Sequence, residues 1–207
     1  MSAVLDTLDA PTATLVRLAA VIAAGDDAAV RTAFTSAVDL PPVWVDELVL
    51  QTQLFSGFPR ALNAAREWRQ VAPAPAPVAD ESDEQDRLAF WQARGEETCA
   101  AVYGPMYERL RATVRQLHPA LDAAMLVEGY GRILGRPGLD LPRRELCIVA
   151  ACAVTGQDRQ LHSHLHGALN VGVAPAVLTA AVGVLAPLLG ADRTKSVQLL
   201  LARVVGK

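Results

Sequence analysis

Aromatic residues are scarce: Phe, Trp and Tyr together make up 5% of the 207 residues. That is little material for the aromatic cross-strand pairs that stabilise sheets, and no stretch shows the strict apolar/polar alternation of a half-buried strand. Cysteine is scarcer still. Three residues, an odd number without framework spacing, exclude a disulfide scaffold and point to a reducing compartment, the cytoplasm by default. Charge of one sign is lacking too: the net charge is −3, so no general attraction to nucleic acid or to acidic membranes is expected. No apolar run is long enough to cross a bilayer, and the N-terminal MSAVLDTLDAP carries acids and no basic leader, so no secretory signal is expected. Neither a glycine-rich nucleotide loop nor a cofactor motif is present, and the expectation is chemistry without metal, flavin or nucleotide.

What remains is apolar and small. Hydrophobic residues reach 52% of the chain, with Ala and Val abundant, a composition suited to closely packed helices. The fold class expected is therefore all-α. Residues 1–10 read as a loose arm, and helices are expected over 11–24, from Asp26 or Asp27 to about Val38, from Pro42 to Gly57, and over 60–71. The alternating Pro and Ala of VAPAPAPVAD, up to Asp80, cannot form a helix and read as a linker. The acidic stretch 81–86 leads into a helix ending near Val102, with Leu88, Trp91 and Cys99 among its apolar positions. Further helices are expected over 106–117, 119–134, 175–189 and 191–205.

The densest stretch lies at 143–172, RRELCIVAACAVTGQDRQLHSHLHGALNVG, with three of the four histidines and two of the three cysteines. Glu145 opens an almost wholly apolar run, Leu146 to Val154. A carboxylate there costs free energy unless something pairs with it. Thr155-Gly156 breaks the run, and Asp158 is a candidate N-cap for the next helix. On that helix Leu161, Leu165, Ala168 and Leu169 mark the buried face, His164 falls on its flank, and His162 and His166 lie one turn apart on the more polar edge. The three histidines therefore cannot converge on one ion, and no metal site is expected. Glu145 has two readings: a helix-start carboxylate paired with Arg143 or Arg144, or an acid/base partner of His164. Cys147 and Cys152, five apart on one helix, are poorly placed for bridging and read as buried hydrophobes, with Cys152 a possible lone thiol on the Glu145 face.

Arg144-Glu145-Leu146, His164, Gly167-Ala168-Leu169-Asn170 and Gly172 occur in order, led in by Tyr130-Gly131 and Arg136-Pro137-Gly138-Leu139-Asp140. This set resembles the signature of the carboxymuconolactone decarboxylase family, which includes the alkylhydroperoxidase-D-like proteins. The resemblance covers roughly the last half of the chain. It implies an alkylhydroperoxidase-D-like helical bundle in which Glu145 and His164, at the family's spacing, are catalytic. It also implies a small carboxylated substrate, no cofactor, and a homo-oligomer, trimer or hexamer. In a lyase of this kind Arg136 or Arg144 would hold the substrate carboxylate, His164 would deliver a proton, and Cys152 and His162 would be accessory. The family's peroxidase branch carries Cys-x-x-Cys ahead of its histidine. Those places here are Gln157 and Gln160, which argues against thiol peroxidase chemistry and leaves a non-catalytic oligomeric binding protein as the other alternative.

A shift of 133 positions aligns Pro42 with Pro175, Gly57 with Gly190 and Asp39 with Gly172. Under it Arg31 takes the place of His164, and no acid stands in the place of Glu145. The expected organisation is a partial, site-less repeat over 11–71, a Pro/Ala linker over 72–80 and a complete domain over 81–207.

Overall fold

The structure, a computed structural model, describes residues 5–72 and 87–206. The Pro/Ala linker beyond Ala72 and the acidic stretch 81–86 lie outside the described residues.

Helix α1, Ala10–Ala24, starts where Asp9 Oδ1 accepts the backbone N–H of Thr12 at 2.7 Å and Pro11 occupies the first turn. Its fellow in the core, α8, Leu141–Thr155, starts in the same way: Asp140 accepts the N–H of Arg143 and Pro142 follows. Every residue from Arg144 to Ala153 is buried, which no amphipathic helix could tolerate. α8 is therefore the central helix, and α1 packs along it. Ala19, Ala20 and Ala23 on α1 and Ala150 and Ala153 on α8 are all buried; their small side chains let the two backbones approach while Leu15, Leu18, Leu146 and Ile148 fill the remaining space. Burying each such leucine contributes roughly 1.5–3 kcal/mol.

The order then follows from short turns. Helices α2, Asp27–Thr35, α3, Pro42–Ser56, and α4, Phe58–Val71, surround α1. Helix α5, Arg87–Tyr103, is followed by a 3₁₀ turn, Gly104–Met106, and by α6, Tyr107–Leu117, and α7, Pro119–Ala124. At Gly156, with φ 73°, the chain turns from α8 into α9, Asp158–Asn170. Helices α10, Pro175–Val184, α11, Ala186–Leu189, and α12, Ala191–Val205, complete the bundle. One hydrophobic cluster contains residues from both sides of the 73–86 stretch. No helix among the described residues is long and apolar enough to cross a membrane, and no strand occurs among them beyond an isolated bridge between Leu5 and Val173.

Several expectations are corrected. Residues 5–10 are not a loose arm: Leu5 donates its N–H to Gly172 O and accepts from Ala174 N. The helix expected over 119–134 is two elements, because a π-helix, Met125–Leu134, follows α7. Two glycines, Gly129 and Gly131, weaken α-helical preference there, and the wider turn is marked by the Gly135 N–H donating to Tyr130 O, five residues back. This segment lies backbone to backbone against α5: a Cβ on Gly95 would sit 2.1 Å from Leu126 O, and one on Gly131 2.0 Å from Trp91 O. The helix expected over 175–189 breaks at Leu185, where Pro187 removes a donor and crowds the preceding turn. Leu88, expected to be an apolar contact, is exposed, whereas Cys99 on the same helix is fully buried.

Two helix pairs share bounds under the 133-residue shift. α3 covers 42–56, and α10 with α11 covers 175–189. Gly57 and Gly190 follow them with φ of 85° and 71°, and α4 and α12 begin at 58 and 191.

Candidate active site

Glu145 sits on the second turn of α8 and His164 midway along α9. The Gly156 turn folds these helices into a hairpin, so a separation of nineteen residues in sequence closes to 2.8 Å between Glu145 Oε2 and His164 Nδ1. Both side chains are buried, Glu145 completely. Neither Arg143 nor Arg144 pairs with Glu145, so the helix-start ion pair is not the arrangement found: Arg143 bonds Asp140 and Thr12 and stacks on Trp44, 4.4 Å from the ring centroid.

Close approach of the two helices requires Gly167. A Cβ at that position would lie 2.6 Å from Glu145 Oε2 and 2.8 Å from Val102 Cγ1. A glycine inside a helix costs about 1 kcal/mol relative to alanine, and here the space it leaves is taken by the carboxylate. The imidazole is walled by Phe55 from α3 and Tyr103 from α5, edge-on at centroid distances of 5.5 and 6.3 Å. Tyr103 in turn hydrogen-bonds Tyr130 of the π-helix. Burial, aided by the charge of Glu145, pushes the Tyr103 phenol up to about 12 and Tyr130 well above the ordinary value. Both phenols therefore keep their protons at neutral pH. The second carboxylate oxygen, Glu145 Oε1, is buried without a hydrogen-bond partner among the described residues, a state that costs roughly 1–3 kcal/mol while it lasts.

The remaining candidates fall elsewhere. Arg144 and Arg136 converge on Glu47 of α3 rather than on the Glu145–His164 pair. Arg144 Nη2 donates to Glu47 Oε2 at 2.6 Å and its other donors reach Gln51 and the carbonyls of Leu139 and Arg136; Arg136 Nε donates to Glu47 Oε1 at 3.1 Å. The guanidinium of Arg144 is thus engaged by an acid, an amide and two carbonyls, which corrects the expectation that it holds a substrate carboxylate; Arg136 shares Glu47 with it and lines clefts that neither Glu145 nor His164 lines. Cys152 is buried, and burial followed by the Glu145 charge pushes its thiol up to about 12. Cys99 is likewise held near 12 by burial. His162 lies exposed with its ring 4.9 Å from that of His166, and no group of three metal-binding side chains occurs among the described residues. Asp158 does not cap α9 with its side chain; it bonds Arg193 of α12 instead, at 2.5 Å.

Of the two readings of Glu145, the structure shows the contact with His164. The adjacent cavity, about 630 Å³, is lined by Tyr103, Ser163 and His162. Sequence reasoning missed Gly167 as the residue that makes room for Glu145, and missed Phe55 and Tyr103 altogether. Gly167 had a readable signal, a glycine inside a strong helical pattern one turn from a histidine; Phe55 and Tyr103 arrive from distant helices and had none.

A buried carboxylate–imidazole pair on a helical hairpin, with two protonated phenols beside it, brings together the kinds of groups that acid/base chemistry uses. Residues 119–202 match the model of the carboxymuconolactone decarboxylase family. The chain is also similar to "Peroxisomal protein 2" of Schizosaccharomyces pombe (strain 972 / ATCC 24843), 30% identical over 131 residues, which is 61% of this chain and 59% of that protein. The chain thus spans less than two thirds of that relative's length.

Proposed function

We propose that the protein is a carboxymuconolactone-decarboxylase-like enzyme that decarboxylates a small carboxylated lactone or keto acid by cofactor-independent proton transfer. The observation that carries this reading is the orphaned Glu145 Oε1 beside the hydrogen-bonded Glu145–His164 pair. A carboxylate whose one oxygen holds an imidazole nitrogen and whose other has no partner is suited to a ligand that donates to it. With Nδ1 fixed by Glu145, the Nε2 of His164 is the nitrogen left to exchange a proton. Loss of CO2 leaves the bonding electrons on carbon as an enolate; a phenol such as Tyr103 can donate to the enolate oxygen while His164 protonates the carbon. Glu145 would orient the imidazole and stabilise its charged form.

The alternative of an alkylhydroperoxidase-like antioxidant is less well supported, because buried thiols held near 12 supply little thiolate at neutral pH. A partial tandem repeat over 11–71 is part of the same proposal, supported by the coincident bounds of α3 and α4 with α10 to α12. In it Thr12 and Arg31 take the places of Glu145 and His164, and Arg31 pairs with Glu67 at 2.6 Å, so the repeat carries no acid/base pair. Cysteine usage favours the cytoplasm, while the name of the yeast relative points to the peroxisome. The test is CO2 release from a panel of lactone carboxylates and β-keto acids: the proposal expects at least one to turn over, and a folded protein inert to the whole panel would count against it.

A further inference from the structure

The cavity of about 630 Å³ beside Tyr103 has a chemical character of its own. Its volume is in the range that takes small ligands. Val102, Tyr103, Met106 and Leu110 give it apolar walls, while the charged or chargeable side chains that line it are Arg109, His162 and His166, with no carboxylate among the described lining residues. The protein as a whole carries net charge −3, so a cleft whose described lining holds one arginine, two histidines and no acid departs from the average surface. These groups come from two elements, Arg109 from α6 and the histidines from successive turns of α9, and line one cavity. Arg109 makes no ion pair among the described residues, unlike Arg136 and Arg144.

We propose that this cleft binds a small amphipathic carboxylate, with Arg109, His162 and His166 facing its anionic head and Tyr103 and Leu110 its apolar body. Arg109 thereby takes the role expected from the sequence for Arg136 or Arg144. Tyr103 links the cleft to the buried centre, because its ring both lines the cleft and stands edge-on to His164 at 6.3 Å. As an entrance to the proton-transferring pair the cleft rests on the function proposed above; as an anion site it does not.

Phenylacetate and its neutral analogue 2-phenylethanol test this on the full chain, by titration followed through the imidazole proton resonances. Phenylacetate should shift the His162 and His166 signals, and Arg109→Gln, an exposed substitution, should weaken it about tenfold or more. 2-Phenylethanol should bind at least about tenfold more weakly. His164→Gln should retain phenylacetate binding. Equal binding of the two probes, or undiminished phenylacetate binding by Arg109→Gln, would overturn the proposal. Because the readout needs no turnover, Arg109-dependent binding without any decarboxylation would leave this site standing and count against the enzyme reading. Turnover unchanged by Arg109→Gln, with no probe bound, would do the reverse.

Discussion

At the scale of single residues, the site depends on an absence of atoms as much as on a hydrogen bond. Glu145 and His164 approach to 2.8 Å only because Gly167 has no side chain. Gly167→Ala should gain about 1 kcal/mol of intrinsic helix preference and lose more than that to the clash, for a net destabilisation of about 1–2 kcal/mol on thermal melting. Activity should fall further than stability does, since the added methyl group displaces the carboxylate oxygen that holds His164. An unchanged melting temperature with full activity would show that the pair has slack the structure does not display. The acid and the histidine were legible in the sequence because an isolated carboxylate in an apolar run needs a partner and because their separation of nineteen residues matches the spacing in the family that the motif resembles. Which cations were available was not legible. Arg136 and Arg144 stand beside the motif, yet their partner Glu47 lies 89 and 97 residues away, and no local pattern announces a pairing at that range.

At the scale of helices, most bounds follow from caps and breakers: Asp9, Asp26 and Asp140 accept the N–H groups that open α1, α2 and α8. The π-helix was not legible, because an i→i+5 pattern is rare and its close backbone contacts with α5, at Gly95 and Gly131, join residues far apart in sequence. The α6–α7 corner offers a test by pH. Asp122 is buried, and its hydrogen bond to Arg111, with Arg115 adding to it, holds its carboxyl below the ordinary carboxylate value against the effect of burial. A lowered folded-state value stabilises the fold above the unfolded-chain value of about 3.8 and is lost as pH falls through the folded one. Asp122→Asn should therefore lower the melting temperature at pH 7 and flatten its decline as pH falls below about 4. Parallel acid melting curves for the two proteins would place the acid sensitivity elsewhere.

At the scale of the whole molecule, the all-α class and the family were both readable, the first from scarce aromatics and abundant alanine, the second from ordered motifs in the last half. That both sides of the 73–86 stretch contribute to one hydrophobic cluster was not, since a Pro/Ala linker reads as a separator whatever its flanks do in space. Assembly remains a proposal drawn from the resemblance. Phe58, Leu62 and Val43 stand exposed on α3 and α4, and light scattering at micromolar concentration should give a trimer or hexamer, whereas a strict monomer would refute that expectation. The central claim, that the Glu145–His164 pair moves the proton, is tested most directly by kcat/KM for CO2 release with the wild-type protein and His164→Gln, on whichever lactone carboxylate or keto acid the panel identifies. The account predicts a loss of about 10²- to 10⁴-fold in His164→Gln, with helical content retained. A folded His164→Gln protein that turns over as fast as the wild type would contradict it.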